Sequence, residues 1–417
     1  MSIIIEKTDH TAPVSNSTIE QCLSDVTNQI LDHSTPQDGL FTGNLGKALF
    51  LFYLAKYSGQ KEFKEAGQTT LDGIFHNLKN KSSTLYQGTS TYAGLSGLAW
   101  VLDTLEKEAV GSADYTLTLQ KLDRVIYETT LTQIKEHDLD FLHSSMGAMA
   151  YLMNRLPDDK EGKDKMERLA TELWKNLCPY NSRSSYLNNQ YIYKNFGTVS
   201  ADNVNLGLAH GLCAILTIAL LLYKQGIASA LMREALEKGI SFLLETYRPE
   251  HTTDLALSLF PSNLITSLPL TQEDNMNYYR RRLGWCYGDL NETLLLYQAG
   301  FILKRPDWVR IADKVGAFTL RKKRQTDTKI ADGFLCHGSS GVSMFYQTLY
   351  QITQNRDYLT GSTFWMNKTV QFAQTSREGI KQPYSFLDGS VGIGLALLTF
   401  LKPEYNTWKK LLLLAPQ

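Results

Sequence analysis

Apolar positions along this chain fall into paired segments. The first of each pair is amphipathic, with one charged face, as in residues 16–32, 62–79, 115–136, 160–178 and 306–323; the second is apolar nearly all round, as in residues 206–223 and 391–401. A single apolar stripe marks a helix with one side in water, and a helix apolar on every side must be covered on every side. Ahead of each apolar segment stands a turn built on small residues. The turns read Phe41-Thr42-Gly43-Asn44-Leu45-Gly46, Tyr92-Ala93-Gly94-Leu95-Ser96-Gly97, Leu142-His143-Ser144-Ser145-Met146-Gly147, Ala209-His210-Gly211-Leu212-Cys213-Ala214, Cys286-Tyr287-Gly288-Asp289-Leu290-Asn291, Cys336-His337-Gly338-Ser339-Ser340-Gly341 and Leu387-Asp388-Gly389-Ser390-Val391-Gly392. They recur at a period of about fifty residues, the signature of a repeat of two helices. Doubly covered second helices and half-exposed first helices predict an inner and an outer ring. The expected fold is all-α, an (α/α)7 toroid of seven helix hairpins forming a single domain over residues 1–417, with the turns at one end of the inner helices.

Two intervals are longer than the rest by roughly 17 and 27 residues, which locates insertions. They lie near residues 181–203, where Gln190-Tyr191-Ile192-Tyr193 reads as a short strand, and near 248–277, where an apolar stretch is bracketed by Pro249 and Pro261. Both are expected to leave the ring at one end and to be cut first by proteases.

Composition narrows the function. Lys+Arg and Asp+Glu both number 42, so no global field favours nucleic acid. Five scattered cysteines make no disulfide framework, and the first residues carry no basic and apolar secretory pattern, which points to the cytoplasm. Residues 206–223 approach the length of a membrane span, but His210 and two glycines interrupt them, and a buried inner helix accounts for the same signal.

The candidate chemistry sits in the turns. Cys286 and Cys336 occupy one station in two copies of the repeat, two residues before a glycine, and His337 adjoins the second. Two thiols and an imidazole are three ligands for zinc, leaving the open position of a catalytic site. The helix start beyond each thiol favours its thiolate. Cys22, Cys178 and Cys213 lack such company and read as core. His210 holds the station of His337 in the fourth copy, which makes it an acid or base candidate, and His143 is its rival in the third. Asp140, a carboxylate among Leu139, Phe141 and Leu142, is either a helix cap or a group with a task. Asp388 reads as a cap. Arg282 ends a cationic run that abuts the metal motif and could hold a carboxylate or steady an enolate.

Trp285-Cys286-Tyr287-Gly288, Cys336-His337-Gly338 and Gly207-Leu208-Ala209-His210-Gly211, with Asp140-Phe141-Leu142-His143-Ser144, closely resemble the LanC family of lanthionine cyclases across all seven repeats. The resemblance implies a zinc-dependent enzyme that closes lanthionine and methyllanthionine rings in a lantibiotic precursor. In it Cys286, Cys336 and His337 bind zinc, His210 and Asp140 do acid/base work, and Arg282 and Tyr287 lie in the site. It implies as partners a dehydrated precursor peptide with its leader, a dehydratase and an ABC transporter, with peripheral membrane association through that complex. Ser144, Ala214, Asn291 and Asp289-Leu290 depart from the family's small residues and bear on turn geometry. Two other readings remain: a zinc enzyme of another α/α ring type that alkylates thiols, and a non-catalytic scaffold that binds thiols or a partner.

Overall fold

A computed structural model describes residues 14–111, 113–156, 159–177, 203–280, 282–375 and 382–416. Among them seven inner helices run Asn44–Ser58, Leu95–Lys107, Ser145–Arg155, Leu212–Lys224, Asp289–Ile302, Ser339–Thr353 and Ser390–Leu401. The fourth is buried at every position from Leu212 to Leu220. Seven outer helices run Asn16–Leu31, Lys61–Lys79, Thr116–Lys135, Lys160–Leu177, Ser229–Glu245, Pro306–Arg321 and Arg356–Thr375. Each buries one stripe: the fourth presents Met166, Leu169, Ala170, Leu173 and Leu177 inward, the spacing of a single helical face.

Consecutive inner helices pack on one another, and the seventh packs on the first, so the ring closes. Inner helices one, four, five and six each lie against the outer helix that follows in the chain. The seventh has none to follow it and takes the first outer helix instead. The mostly helical, closed ring is the expected α/α toroid.

Every inner helix starts at a small residue of its turn: Gly43, Gly94, Ser144, Gly211, Gly288, Gly338 and Gly389 are the residues before the first helical position. The second small residue faces the backbone carbonyl six positions earlier. A Cβ on Gly341 would stand 1.9 Å from the Leu335 oxygen, and one on Gly147 2.3 Å from that of Phe141. Asn291 departs from glycine here and uses the carbonyl instead, donating from Nδ2 to the Trp285 oxygen at 3.0 Å while its Oδ1 accepts from Leu208 N.

The turns are strung together by backbone hydrogen bonds. Phe41 donates to Tyr92, Tyr92 to Leu142, Leu208 to Cys286, Trp285 and Cys286 to Cys336, Cys336 to Leu387, and Phe386 back to Phe41. The fourth inner helix begins at Leu212, not near 206, because residues 206–209 belong to this belt and are buried as part of its turn. No helix of the described residues is long and apolar enough to cross a membrane.

The second insertion sits on the rim as packed structure. Its strand β2, Asn263–Ile265, pairs antiparallel with β1, Asn203–Asn205, at the end of the first insertion. Leu259, Phe260 and Leu264 are buried, and the Asp289 carboxylate accepts from the backbone N–H groups of Leu259 and Phe260 at 2.9 and 3.0 Å. The strand expected over Gln190 to Tyr193 lies outside the described residues.

At the other end of the ring the C-terminal segment enters the lumen. It touches the C-terminal halves of the inner helices: Thr407 pairs with Tyr53 at 2.9 Å, Trp408 donates to Thr399 at 2.7 Å, and Thr348 donates to the Leu414 carbonyl at 2.7 Å. Lys409 is wholly enclosed there, and burial pushes its amine down to about 7.

Candidate active site

The turn before the third inner helix carries a fully buried carboxylate. Asp140 Oδ1 accepts from the His143 backbone N–H at 2.7 Å, which straps its own turn, and Oδ2 pairs with Nδ1 of His210 at 2.8 Å. It does not cap the helix, whose preceding residue is Ser144. Burial alone would raise the Asp140 pKa. The hydrogen bond and charge of His210, with His143 adding to both effects, outweigh it and hold the carboxyl below its ordinary value. An ionised carboxylate at Nδ1 keeps a proton on that nitrogen and leaves Nε2 of His210 to exchange one with a substrate. The His210 side chain keeps a fifth of its surface in solvent, enough to meet a ligand.

His143 stacks on His210 with centroids 5.5 Å apart and planes within 6°, and Tyr92 packs on it at 4.6 Å. Burial is the main reason its pKa falls to about 4, with the charge of Asp140 opposing and that of His210 assisting. It is therefore neutral at neutral pH and a poor rival to His210 as proton donor. A sign follows for stability. The folded form of this imidazole takes its proton later than the unfolded form, so stability should fall as pH drops from about 6.5 through about 4, with Asp140 adding to the loss lower down. His143→Phe keeps a stacked ring but no titrating nitrogen, and its Tm should decline less between pH 7 and 4.5 than that of the wild type. Parallel Tm-against-pH curves for the two proteins would rule this origin out.

The thiol pair lies on the next two turns. Trp285 N and Cys286 N both donate to the Cys336 carbonyl, at 2.8 and 3.2 Å, which sets one cysteine beside the other. Contact with the Cys336 thiol is the largest influence lowering Cys286, helped against burial by the charges of Arg282 and His210, while the same contact pushes Cys336 up. The backbone N–H of Ala209, the residue before His210, donates to the Cys286 carbonyl at 3.4 Å, which sets the turn of the acid/base pair beside that of the thiol pair. The side-chain donors of Cys336, His337 and Asp388 lie within 4.8 Å of one another. His337 Nδ1 is 3.4 Å from Asp388 and Nε2 is 3.6 Å from Asp332.

Asp388 thus corrects the expectation of a helix cap. Gly389 precedes the seventh inner helix without a side-chain cap, and the Asp388 carboxylate turns to His337 instead. Burial raises its pKa, with Asp332 adding to that and His337 opposing. Asp332 escaped notice in the sequence, although its position six residues before the glycine of its turn could have suggested a rim residue.

Arg282 is exposed at the rim, with its charge bearing on both thiols and on Asp388. The Tyr287 hydroxyl pairs with Asn205 Nδ2 at 2.8 Å, and its ring covers Gly207 so closely that a Cβ there would stand 2.5 Å from it. Gly288 follows at a φ of 123°, a backbone that only glycine adopts without strain, with the Arg282 carbonyl 2.6 Å from where a Cβ would be. The structure therefore gathers all seven residues singled out in the sequence, Asp140, His210, Arg282, Cys286, Tyr287, Cys336 and His337, on the turn-bearing end of the toroid.

A family model described as lanthionine synthetase C-like protein matches residues 35–413. Nisin biosynthesis protein NisC of Lactococcus lactis subsp. lactis is 25% identical over 391 residues, which cover 90% of this chain and 88% of that protein. A solved structure titled nisin cyclase superposes with a TM-score of 0.73 at 20% identity, covering 95% of this chain and 97% of that chain, a likeness of fold.

Proposed function

We propose a peptide cyclase, because this chain belongs to the lanthionine synthetase C-like family: an enzyme that adds precursor cysteine thiols to dehydroalanine or dehydrobutyrine within one lantibiotic precursor, forming lanthionine and methyllanthionine rings. The observation that carries the reading is the Asp140–His210 pair, whose turn is joined to that of Cys286 by the hydrogen bond from the Ala209 N–H to the Cys286 carbonyl at 3.4 Å. The catalytic unit in this reading is the ring as a whole, residues 1–417, with its insertions near 181–203 and 248–277.

The donor set fits zinc. The turns of Cys286 and Cys336 are joined through the Cys336 carbonyl, His337 lies beside Cys336, and sulfur with imidazole nitrogen is the donor chemistry zinc prefers over calcium or magnesium. Bound by Cys286, Cys336 and His337, zinc supplies a Lewis acid that keeps a substrate thiol deprotonated near neutral pH. Asp388 beside Nδ1 of His337 is placed to orient that ring, as carboxylates do for metal-binding histidines.

The remaining steps fall to the chain's own side chains. As the sulfur–carbon bond forms at the β-carbon, the double-bond electrons move onto the α-carbon and its amide, giving an enolate. Protonated His210, held by Asp140, delivers the proton to the α-carbon, and the proton shed by the next cysteine recharges it. Arg282 places positive charge beside the thiol pair, where the developing anion needs it. Tyr287, fixed by Asn205, lines the approach. The reaction is an isomerisation, so a dehydratase must act first to make the acceptor. The precursor with its leader, that dehydratase and an ABC transporter are the partners of this reading, in the cytoplasm at the membrane face of their complex.

The test is incubation of the zinc-loaded protein with a dehydrated, cysteine-bearing precursor, followed by thiol alkylation and mass spectrometry. Closure leaves the peptide mass unchanged and removes one alkylatable thiol per ring. Peptide that remains fully alkylatable would defeat the proposal.

A further inference from the structure

We infer that the C-terminal segment inside the ring is the seat on which the metal-binding turn rests, and that Trp285 is the positioning residue through which it acts. The inference rests on the zinc reading above and adds a support for it 127 residues along the chain.

The segment is a built fitting. Trp408, Leu411, Leu412, Leu413 and Leu414 are all buried in the lumen. Leu413 is held at a φ of 55°, a left-handed backbone that a leucine adopts only when its surroundings impose it. Three carbonyls of the segment accept from ring side chains on two inner helices and one turn. Leu412 accepts from Trp285 Nε1 at 2.9 Å, Leu414 from Thr348 at 2.7 Å, and Ala415 from Gln298 at 3.2 Å.

Trp285 joins this seat to both halves of the site. Its side chain has no exposed surface and lies 6.5 Å, centroid to centroid, from Phe141, the neighbour of Asp140. Its backbone N–H donates to Cys336 and its carbonyl accepts from Asn291, and Cys286 is the next residue. An indole free to shift would carry Cys286 with it, and with Cys286 the distance between the two sulfurs. Metal ligands tolerate little such movement, since partners outside the ligand set commonly change affinity by about 10- to 100-fold.

The experiment is zinc affinity by competition with a chromophoric chelator, with folding followed by circular dichroism. Trp285→Phe keeps the ring and removes only the N–H donor, and its zinc affinity should fall by roughly three- to tenfold, the range for one hydrogen bond. Thr348→Val, which loosens the segment while leaving Trp285 untouched, should weaken zinc in the same direction. Thr353→Val, at the end of the same inner helix and bonded to Leu349 and Asn355 rather than to the C-terminal segment, should bind zinc as the wild type does. A folded Trp285→Phe protein with wild-type zinc affinity overturns the inference. Should that variant fail to fold, equal affinity in Thr348→Val and Thr353→Val overturns it. In either case a zinc-binding wild type leaves the metal reading standing, whereas a wild type that binds no zinc removes both.

Discussion

His210→Ala should keep its zinc and close rings about 10² to 10⁴ times more slowly than the wild type, the usual worth of a general acid. The proposed metal donors Cys286, Cys336 and His337 are untouched by the change, so in this reading a substrate thiol would still be activated. What disappears is the proton for the enolate carbon. Asp140 has no exposed surface and bonds Nδ1 of His210 at 2.8 Å, so Asp140→Asn removes the carboxylate that orients the imidazole. It should be slow to a similar degree. The double variant should be little worse than either single one, because the two residues act as one unit. Alkylation and mass spectrometry of the precursor over time reads this directly. Closure at the wild-type rate by His210→Ala, with zinc bound, would take the histidine out of the mechanism; additive losses in the double variant would separate it from Asp140.

Removal of a thiol should have an equally large effect on the metal. Cys286→Ala and Cys336→Ala are each expected to lose stoichiometric zinc, with affinity reduced by more than the roughly 10- to 100-fold seen for outer partners. Asp388→Asn should stay within that smaller range, because it stands beside His337 in the role of an orienting carboxylate. Metal analysis of the purified variants distinguishes two ligand sets, since the donors of Cys336, His337 and Asp388 converge as a group of three. Zinc kept by Cys286→Ala and lost by Asp388→Asn would replace the second thiol by the carboxylate.

The ring was legible because its repeat rests on steric necessity. A carbonyl 2.3 Å from any Cβ at Gly147 and 2.0 Å from one at Gly392 leaves glycine as the residue that fits, and the same demand in successive turns becomes a period. Chemistry at equivalent stations was legible for the same reason: Cys286 and Cys336 are neighbours because their turns are. What escaped was whatever depended on neighbours remote in sequence. Residues 206–209 look like the start of an inner helix, since burial in a belt of turns and burial in a helix select the same side chains. Asp388, directly before a glycine and a helix, carries the local signature of a cap, and only its contact with His337 from the preceding turn reveals otherwise. Asn291 reads as an irregular substitute for glycine until the Trp285 carbonyl and Leu208 N–H are placed on either side of it. The run Trp408 to Leu414 has no periodicity to announce a lumen that seven inner helices must first enclose.

The way the ring closes bears on how the chain must be made. The first outer helix, Asn16–Leu31, finds its apolar partner in Ser390–Leu401, and the Phe41 carbonyl waits for the N–H of Phe386. A ribosome adding about 5 to 20 residues per second needs roughly 20 to 80 s to deliver that partner. Throughout that interval the nascent chain displays an inner face that the closed ring will bury, where an open solenoid has terminal repeats of polar face. Productive synthesis therefore calls for holding factors that tolerate a long exposure, and slow elongation near the 3′ end of the message should lower yield more than slow elongation near its start.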